Sequence, residues 1–229
     1  MRPAALQTRV IIADDHRLVR EGLCALLRSE PDIAVVAEAR DGMELVRLVR
    51  ELQPDVALVD LAMPRMNGIE AIRRIRAEPG LSCKLLCVSA HQLPQQVQAA
   101  LDAGANGYVL KENSFDELAR GVRRVMAGQL FLSGELVGAV LDNYRHPASA
   151  PTGASTLGRL TPRERQMVQL LSEGYSAQQI AEQLHLSAKT VATHREHVFS
   201  KLRIQGIAEL TRFALREGLS SLDARPPHC

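Results

Sequence analysis

The sequence predicts an α/β domain built on a doubly wound parallel sheet, followed by a smaller domain made of helices alone. Two observations carry this prediction. Over the first 128 residues, five short apolar runs alternate with five stretches of helical periodicity; this is the pattern of a parallel sheet with right-handed crossovers. Beyond a Pro-, Ala- and Ser-containing stretch at 147–158, apolar residues recur only at helical spacing. The 229 residues suit two domains of ordinary size, and 46% hydrophobic residues suffice for two cores.

The elements follow in order. Arg9–Ala13 reads as a buried strand that ends in Asp14-Asp15. Leu18, Val19, Leu23, Leu26 and Leu27, with Gly22, give a helix to Arg28. Ile33–Ala39 is a second strand, and Leu45, Leu48, Val49 and Leu52 mark the next helix. The third strand, Val56–Val59, runs straight into Asp60 and lies between Pro54 and Pro64. A continuous apolar run of this kind suits a strand buried on both faces. Asn67-Gly68 opens a helix with Ile69, Ile72 and Ile75, which Pro79-Gly80 closes. Lys84–Ser89 is the fourth strand, Leu93–Ala103 a helix stopped by Gly104, and Gly107–Lys111 the fifth strand. Leu118, Val122 and Val125 mark the fifth helix. With strands one and three adjacent, the order is flavodoxin-like, a (βα)5 domain with a five-stranded sheet.

Residues 129–158 are expected to hold a short helix, Ser133 to Tyr144, and then a flexible linker. The helical domain opens with Thr161-Pro162-Arg163-Glu164, a capping box with Pro at the first helical position. Met167, Leu170 and Leu171 form its apolar face, and Gly174 stops it. Ser176 and Ser187 cap two further helices, and Ile207–Gly218 is a fourth. Two short helices with a tight connection, the second carrying basic residues, suggest a helix-turn-helix.

Composition excludes several classes. No apolar run approaches a membrane span, and the first eight residues lack a secretory signal's apolar segment, so a cytoplasmic protein is expected. Cys24, Cys83, Cys87 and Cys229 show no metal spacing. Charge alone does not announce nucleic acid: residues 1–127 carry 17 Lys+Arg against 17 Asp+Glu, and residues 160–219 carry 8 against 6.

In open parallel sheets, chemistry lies beyond the carboxyl ends of the strands. Asp14, Asp15 and Asp60 all stand there. Asp60 alone would read as the cap of a turn; three converging carboxylates repel one another and invite a divalent cation. Oxygen ligands with no His or Cys nearby suit Mg²⁺. Asp60, ending the central strand, could then attack a phosphoryl group. Lys111 and Ser89, at the ends of strands five and four, can point into the same crevice.

Asp14-Asp15, Asp60-Leu-Ala-Met-Pro-Arg-Met-Asn-Gly, Ser89-Ala90 and Tyr108-Val-Leu-Lys111 resemble the receiver domain of two-component response regulators. Residues 160–219 resemble the LuxR-type DNA-binding domain, so nearly the whole chain resembles a NarL/FixJ-type response regulator. The resemblance implies a receiver over 8–128, a connecting segment over 129–158 and a DNA-binding domain over 159–220. It implies Asp60 as phosphoacceptor, a sensor histidine kinase as donor, and Mg²⁺ held by Asp14, Asp15, Asp60 and the Ala62 carbonyl. Lys111 and Ser89 would contact the phosphoryl oxygens, and Tyr108 would swing inward when Ser89 moves. The chain is then expected to be a transcription factor and not an enzyme, dimeric when phosphorylated, with RNA polymerase a further candidate partner.

Two positions depart from the family pattern. Glu112 stands where the family often has a cis proline, and a trans bond is expected there. Ala62 and His91 occupy the positions that tune aspartyl-phosphate lifetime, and the small Ala62 leaves water access open.

The candidate recognition helix is 186–202. Val191, Val198 and Leu202 should pack inward. Lys189, Thr190, His194, Arg195 and Lys201 can reach phosphates, while Ala192, Thr193 and Glu196 share the outward face, with Thr193 and Glu196 reading bases. The sequence opposes three rival readings. An aspartate-nucleophile phosphatase needs a second Asp two residues on, where Ala62 stands. A phosphate-binding flavoprotein is opposed by the acidic turn Asp14-Asp15-His16. A regulator whose receiver is never phosphorylated is opposed by the intact acidic set.

Overall fold

The computed structural model describes residues 7–90, 92–138 and 160–220. The chain divides into two compact units, 1–147 and 148–229. The first holds β1 (Thr8–Ala13), α1 (Arg17–Arg28), β2 (Ile33–Ala39), α2 (Gly42–Leu52), β3 (Val56–Val59), α3 (Gly68–Ala77), β4 (Lys84–Ser89), α4 (Pro94–Asp102), β5 (Gly107–Leu110), α5 (Phe115–Met126) and β6 (Phe131–Leu132). A further helix, α6, begins at residue 134 and is described to 138. The strands lie in the order β2-β1-β3-β4-β5-β6, each parallel to its neighbours.

Alternation along the strands explains the layers. Ile11, Ala57, Val59, Leu85, Cys87, Tyr108 and Leu110 point to one face, where they meet Leu45 and Val49 of α2, Ile69, Ile72 and Ile75 of α3, and Val97 of α4. Val10, Ile12, Val56, Leu58, Leu86, Val88 and Val109 point to the other, against Cys24 and Leu27 of α1 and Leu118, Val122 and Val125 of α5. Period-two side chains thus fill two cores from the same strands, as a sheet covered on both faces requires.

Three expectations are corrected. Among the described residues the sheet has six strands, not five: Phe131 and Leu132 pair with Gly107 and Tyr108. A two-residue strand leaves no periodic signal in the sequence. Ser133 fixes it, donating its N–H to the Tyr108 carbonyl (3.0 Å) and accepting the Leu110 N–H at its hydroxyl (3.2 Å). The following helix starts at residue 134, and its expected course to Tyr144, with the linker at 147–158, lies outside the described residues. On α1, Leu18 (84% exposed) and Leu26 (45%) face solvent, so its buried stripe is narrower than the apolar pattern implied.

Gly68 is required by space. A Cβ on Gly68 would lie 2.2 Å from the Asp60 carbonyl oxygen. Its absence lets α3 start directly against the strand end, with the Gly68 N–H on the Leu61 carbonyl at 3.1 Å.

The second unit holds α7 (Pro162–Ser172), α8 (Ala177–Leu184), α9 (Ala188–Leu202) and α10 (Ile207–Arg216). Thr161 and Glu164 form the capping box of α7, Ser176 and Gln179 that of α8, and Ser187 caps α9 through the Thr190 N–H. Met167, Leu170, Ile180, Leu184, Val191, Val198, Leu210 and Phe213 make one core. His185, in the left-handed region (φ 52°), ends α8 and turns the chain into α9. No helix among the described residues is long and apolar enough to cross a membrane.

Candidate functional site

The ends of β1, β3 and β5 bring Asp14, Asp60 and Lys111 together. Lys111 Nζ lies 2.7 Å from Asp14 Oδ2 and 2.9 Å from Asp60 Oδ2. Both carboxylates are buried, at 1% and 2% exposure. Asp15 completes the group at the exposed rim, and ligand atoms of Asp14, Asp15, His16 and Asp60 all lie within 4.8 Å of one another.

Electrostatics follow from that crowding. Burial first, then Asp14 and Asp15, push the Asp60 carboxyl above the usual range, against the pull of Lys111. Asp15 is raised by burial, which His16 partly offsets. Burial would lower the Lys111 ammonium, but Asp60 and Asp14 outweigh it and raise it. One ammonium therefore serves a surplus of carboxylates, and a divalent cation would remove the remaining repulsion. The donor chemistry fits such a cation, with one correction: a nitrogen is near. His16 Nδ1 stands 2.9 Å from Asp15 Oδ1. Its place next to the acidic pair in sequence was a signal that could have found it.

The supporting loops are tied down. Asp14 Oδ1 accepts the His16 N–H (2.8 Å). The Asp14 carbonyl accepts from Arg20 Nη1 (2.6 Å). The loop after Asp60 carries Ala62, whose N–H approaches Asp60 Oδ1 at 3.4 Å. That loop includes Arg65 in the left-handed region (φ 63°). The Arg65 guanidinium pairs with Asp41, the buried cap of α2, and Gly42 donates its N–H to the Met66 carbonyl at 3.1 Å. The Arg20–Glu38 and Arg65–Asp41 pairs were not singled out from sequence, because their members lie 18 and 24 residues apart.

Ser89, at the end of β4, is buried and hydrogen-bonds Tyr108. Tyr108 is fully buried, and burial raises its hydroxyl pKa despite that bond. The ring lies inside, within the core shared by α2, α3 and α4. The Lys111–Glu112 peptide is trans, as expected for a non-proline. His91 lies outside the described residues.

On the second unit, Val191 and Val198 of α9 are buried. Lys189, Thr193, Arg195 and Glu196 are exposed, and Thr190, Ala192 and His194 are half-buried. Thr190 shares its hydroxyl with Ser187 (2.8 Å), and the Thr193 hydroxyl donates to the Lys189 carbonyl (3.2 Å). Lys201 is not presented as a free cation. Its Nζ sits 2.6 and 2.8 Å from the two oxygens of Glu164. Glu164 is buried, and an unpaired carboxylate there would be costly, so Lys201 is held by α7. Arg163 is likewise engaged, through the Leu184 carbonyl.

Comparison with known proteins agrees with both units. The model of the response regulator receiver domain matches residues 10–123, and that of bacterial regulatory proteins of the luxR family matches residues 158–214. The transcriptional regulatory protein LiaR of Bacillus subtilis is 38% identical, over 92% of this chain and 98% of its own. The nitrate/nitrite response regulator protein NarL of Escherichia coli K12 is 34% identical, over 87% of this chain and 91% of its own. RcsB of Salmonella enterica serovar Typhimurium, solved bound to the promoter rprA in the presence of a phosphomimetic, is 26% identical with a TM-score of 0.57, covering 90% of this chain and 98% of that one. With a parallel-sheet receiver whose acidic residues meet at the strand ends, and a helix-turn-helix unit after it, the chain belongs to the NarL/FixJ-type response regulators, the transcriptional regulators of two-component systems.

Proposed function

We propose that Asp60 accepts a phosphoryl group from a sensor histidine kinase in a Mg²⁺-dependent reaction, and that this event controls DNA binding by the second unit. The observation that carries this reading is the pair of buried carboxylates, Asp14 and Asp60, that share the single ammonium of Lys111. Such an imbalance is poor architecture and suits a site that receives a cation and a transferred group. Asp14, Asp15, Asp60 and the Ala62 carbonyl would hold the ion. When bound, Mg²⁺ supplies positive charge to the transferring oxygens.

The remaining roles belong to the chain. An Asp60 carboxylate oxygen attacks phosphorus, the P–N bond of the donor's phosphohistidine breaks, and its electron pair stays on the imidazole nitrogen. Lys111 and Ser89 contact the phosphoryl oxygens. Ser89 gives up its bond to Tyr108 in doing so, and the freed Tyr108 repacks. That change biases the receiver between two states.

The phosphorylated protein acts as a cytoplasmic homodimer on duplex DNA, with RNA polymerase as a further partner. RcsB, solved as two dimers bound to two parallel DNAs, supports this arrangement. Within 159–220, Lys189, His194 and Arg195 meet phosphates, and Ala192, Thr193 and Glu196 face base edges, with Thr190 at the start of the helix. Lys201 stays with Glu164. The test is selection from a random duplex pool, with and without a small phosphodonor and Mg²⁺. A sequence enriched by phosphodonor-treated wild type and not by Asp60→Ala supports the reading. Equal enrichment by both proteins contradicts it.

A further inference from the structure

Arg20 stands on α1, and its side chain is only 9% exposed. Nη1 donates to the Asp14 carbonyl at 2.6 Å, and Nε to Glu38 Oε2 on β2 at 3.3 Å. The carbonyl it holds belongs to the peptide that joins Asp14 to Asp15. The preceding carbonyl, Ala13, still takes the Asp60 N–H at 2.8 Å, and the Asp14 N–H is held by the Ala39 carbonyl at 3.2 Å. The Asp14 carbonyl is the first beyond the strand, and Arg20 supplies its donor. Any rotation of that peptide would re-aim the Asp15 carboxylate relative to Asp14 and Asp60. Glu38 in turn is braced from α1 by Arg28, at 3.7 Å. A guanidinium buried for stability alone would gain as much on many carbonyls; this one grips the backbone between two carboxylates of the cluster.

We propose that Arg20 is a positioning residue: by fixing the Asp14–Asp15 peptide against α1 and β2, it sets the affinity of the acidic cluster for its divalent cation. The inference rests on the reading of that cluster as a Mg²⁺-dependent phosphoacceptor site. It predicts a division of labour, in which Arg20 governs cation affinity while Asp60 and Lys111 govern transfer.

The test compares full-length wild type, R20Q, R20K and E38Q by calorimetric titration with Mg²⁺. The Mg²⁺ dependence of covalent labelling by a small phosphodonor is followed in parallel, and melting serves as the check on folding. Residues that orient metal ligands are worth about 10- to 100-fold in metal affinity. R20Q should therefore raise the half-saturating Mg²⁺ concentration at least about tenfold, at the low end of that range, and leave the labelling rate at saturating Mg²⁺ nearly unchanged. R20K should recover part of the loss, and E38Q should shift half-saturation in the same direction by less. An R20Q that melts lower but binds Mg²⁺ as wild type does would overturn the proposal and leave Arg20 a strut. If R20Q does not fold, E38Q decides: Mg²⁺ binding identical to wild type overturns the proposal, and a weakened one supports it. A wild type that takes up neither cation nor phosphoryl group overturns the reading of the site and this inference with it, a result distinct from R20Q matching wild type.

Discussion

Two lysines show how differently the two units use charge. Lys111 stands between two buried carboxylates with a third at the rim, so its site keeps a negative surplus. Lys201 meets one buried carboxylate, Glu164, whose other bonds close the cap of α7. The first arrangement is unbalanced and waits for a cation. The second is neutral, fully bonded and architectural. The outer charges of α9 follow a third rule: Lys189, Arg195 and Glu196 stay exposed, where pairing gains little and a ligand can reach them. Burial alone therefore does not mark function; burial with unequal charge does.

The contrast is open to direct attack. Lys111→Ala should cost the divalent-free protein about 3 kcal/mol in urea unfolding, because it strands buried carboxylates. Mg²⁺ should recover part of that loss. A loss below about 1 kcal/mol would place Lys111 with ordinary surface pairs.

Glu164→Ala should cost about 2 kcal/mol by removing a cap and a buried partner, seen as lost hydrogen-exchange protection across α7 and α9. Ser133→Ala should cost about 1 kcal/mol, since the Leu110 N–H loses its acceptor and β6 loosens from β5. For DNA binding, Lys189→Gln and Arg195→Gln should each lower the slope of log affinity against log salt by about 1, and Lys201→Gln should leave the slope unchanged. A changed slope for Lys201→Gln would return that residue to the phosphate contacts.

The carboxylates of the two lysine sites should also respond to acid with opposite sign. Burial works to raise Glu164, but Lys201 and Thr161 outweigh it and hold the carboxyl below its ordinary value of 4.5. Its contribution is present above that value and lost as pH falls through the lowered one. Asp60 and Asp15 are raised from 3.8, chiefly by burial. Their ionised forms oppose folding above the raised values, and that penalty is relieved as pH falls through them. Hydrogen exchange of metal-free protein taken from about pH 6 to below 4.5 should show protection around α7 falling once pH drops past 4.5, while protection at the ends of β1 and β3 does not fall; loss at β1 and β3 with α7 unchanged would contradict the assignment.

Legibility in the sequence followed the range of the interactions. β1, β3, β4 and β5 are continuous apolar runs that end in chemistry-bearing residues, so both the sheet and the convergence of Asp14, Asp60 and Lys111 could be read from residue order. The capping box of α7 and the Ser176 cap of α8 are local and were equally plain, whereas the part of Gln179 in the α8 box emerged only from the structure. β6 is too short for any period to appear. Leu18 and Leu26 matched a helical stripe that the structure leaves in solvent, because periodicity reports spacing and not what lies opposite. The pairs Arg20–Glu38, Asp41–Arg65 and Lys201–Glu164 join residues 18, 24 and 37 positions apart. No local pattern encodes those meetings.

The central claim is that the unbalanced cluster exists to let Asp60 take a phosphoryl group. Intact-mass measurement of the full chain, treated with a small phosphodonor and Mg²⁺, tests it most directly. The account predicts a gain of one phosphoryl group in wild type, located on Asp60 by reductive trapping and absent both in Asp60→Ala and after chelation of Mg²⁺. An unmodified wild type, or an equal gain in Asp60→Ala, would contradict it.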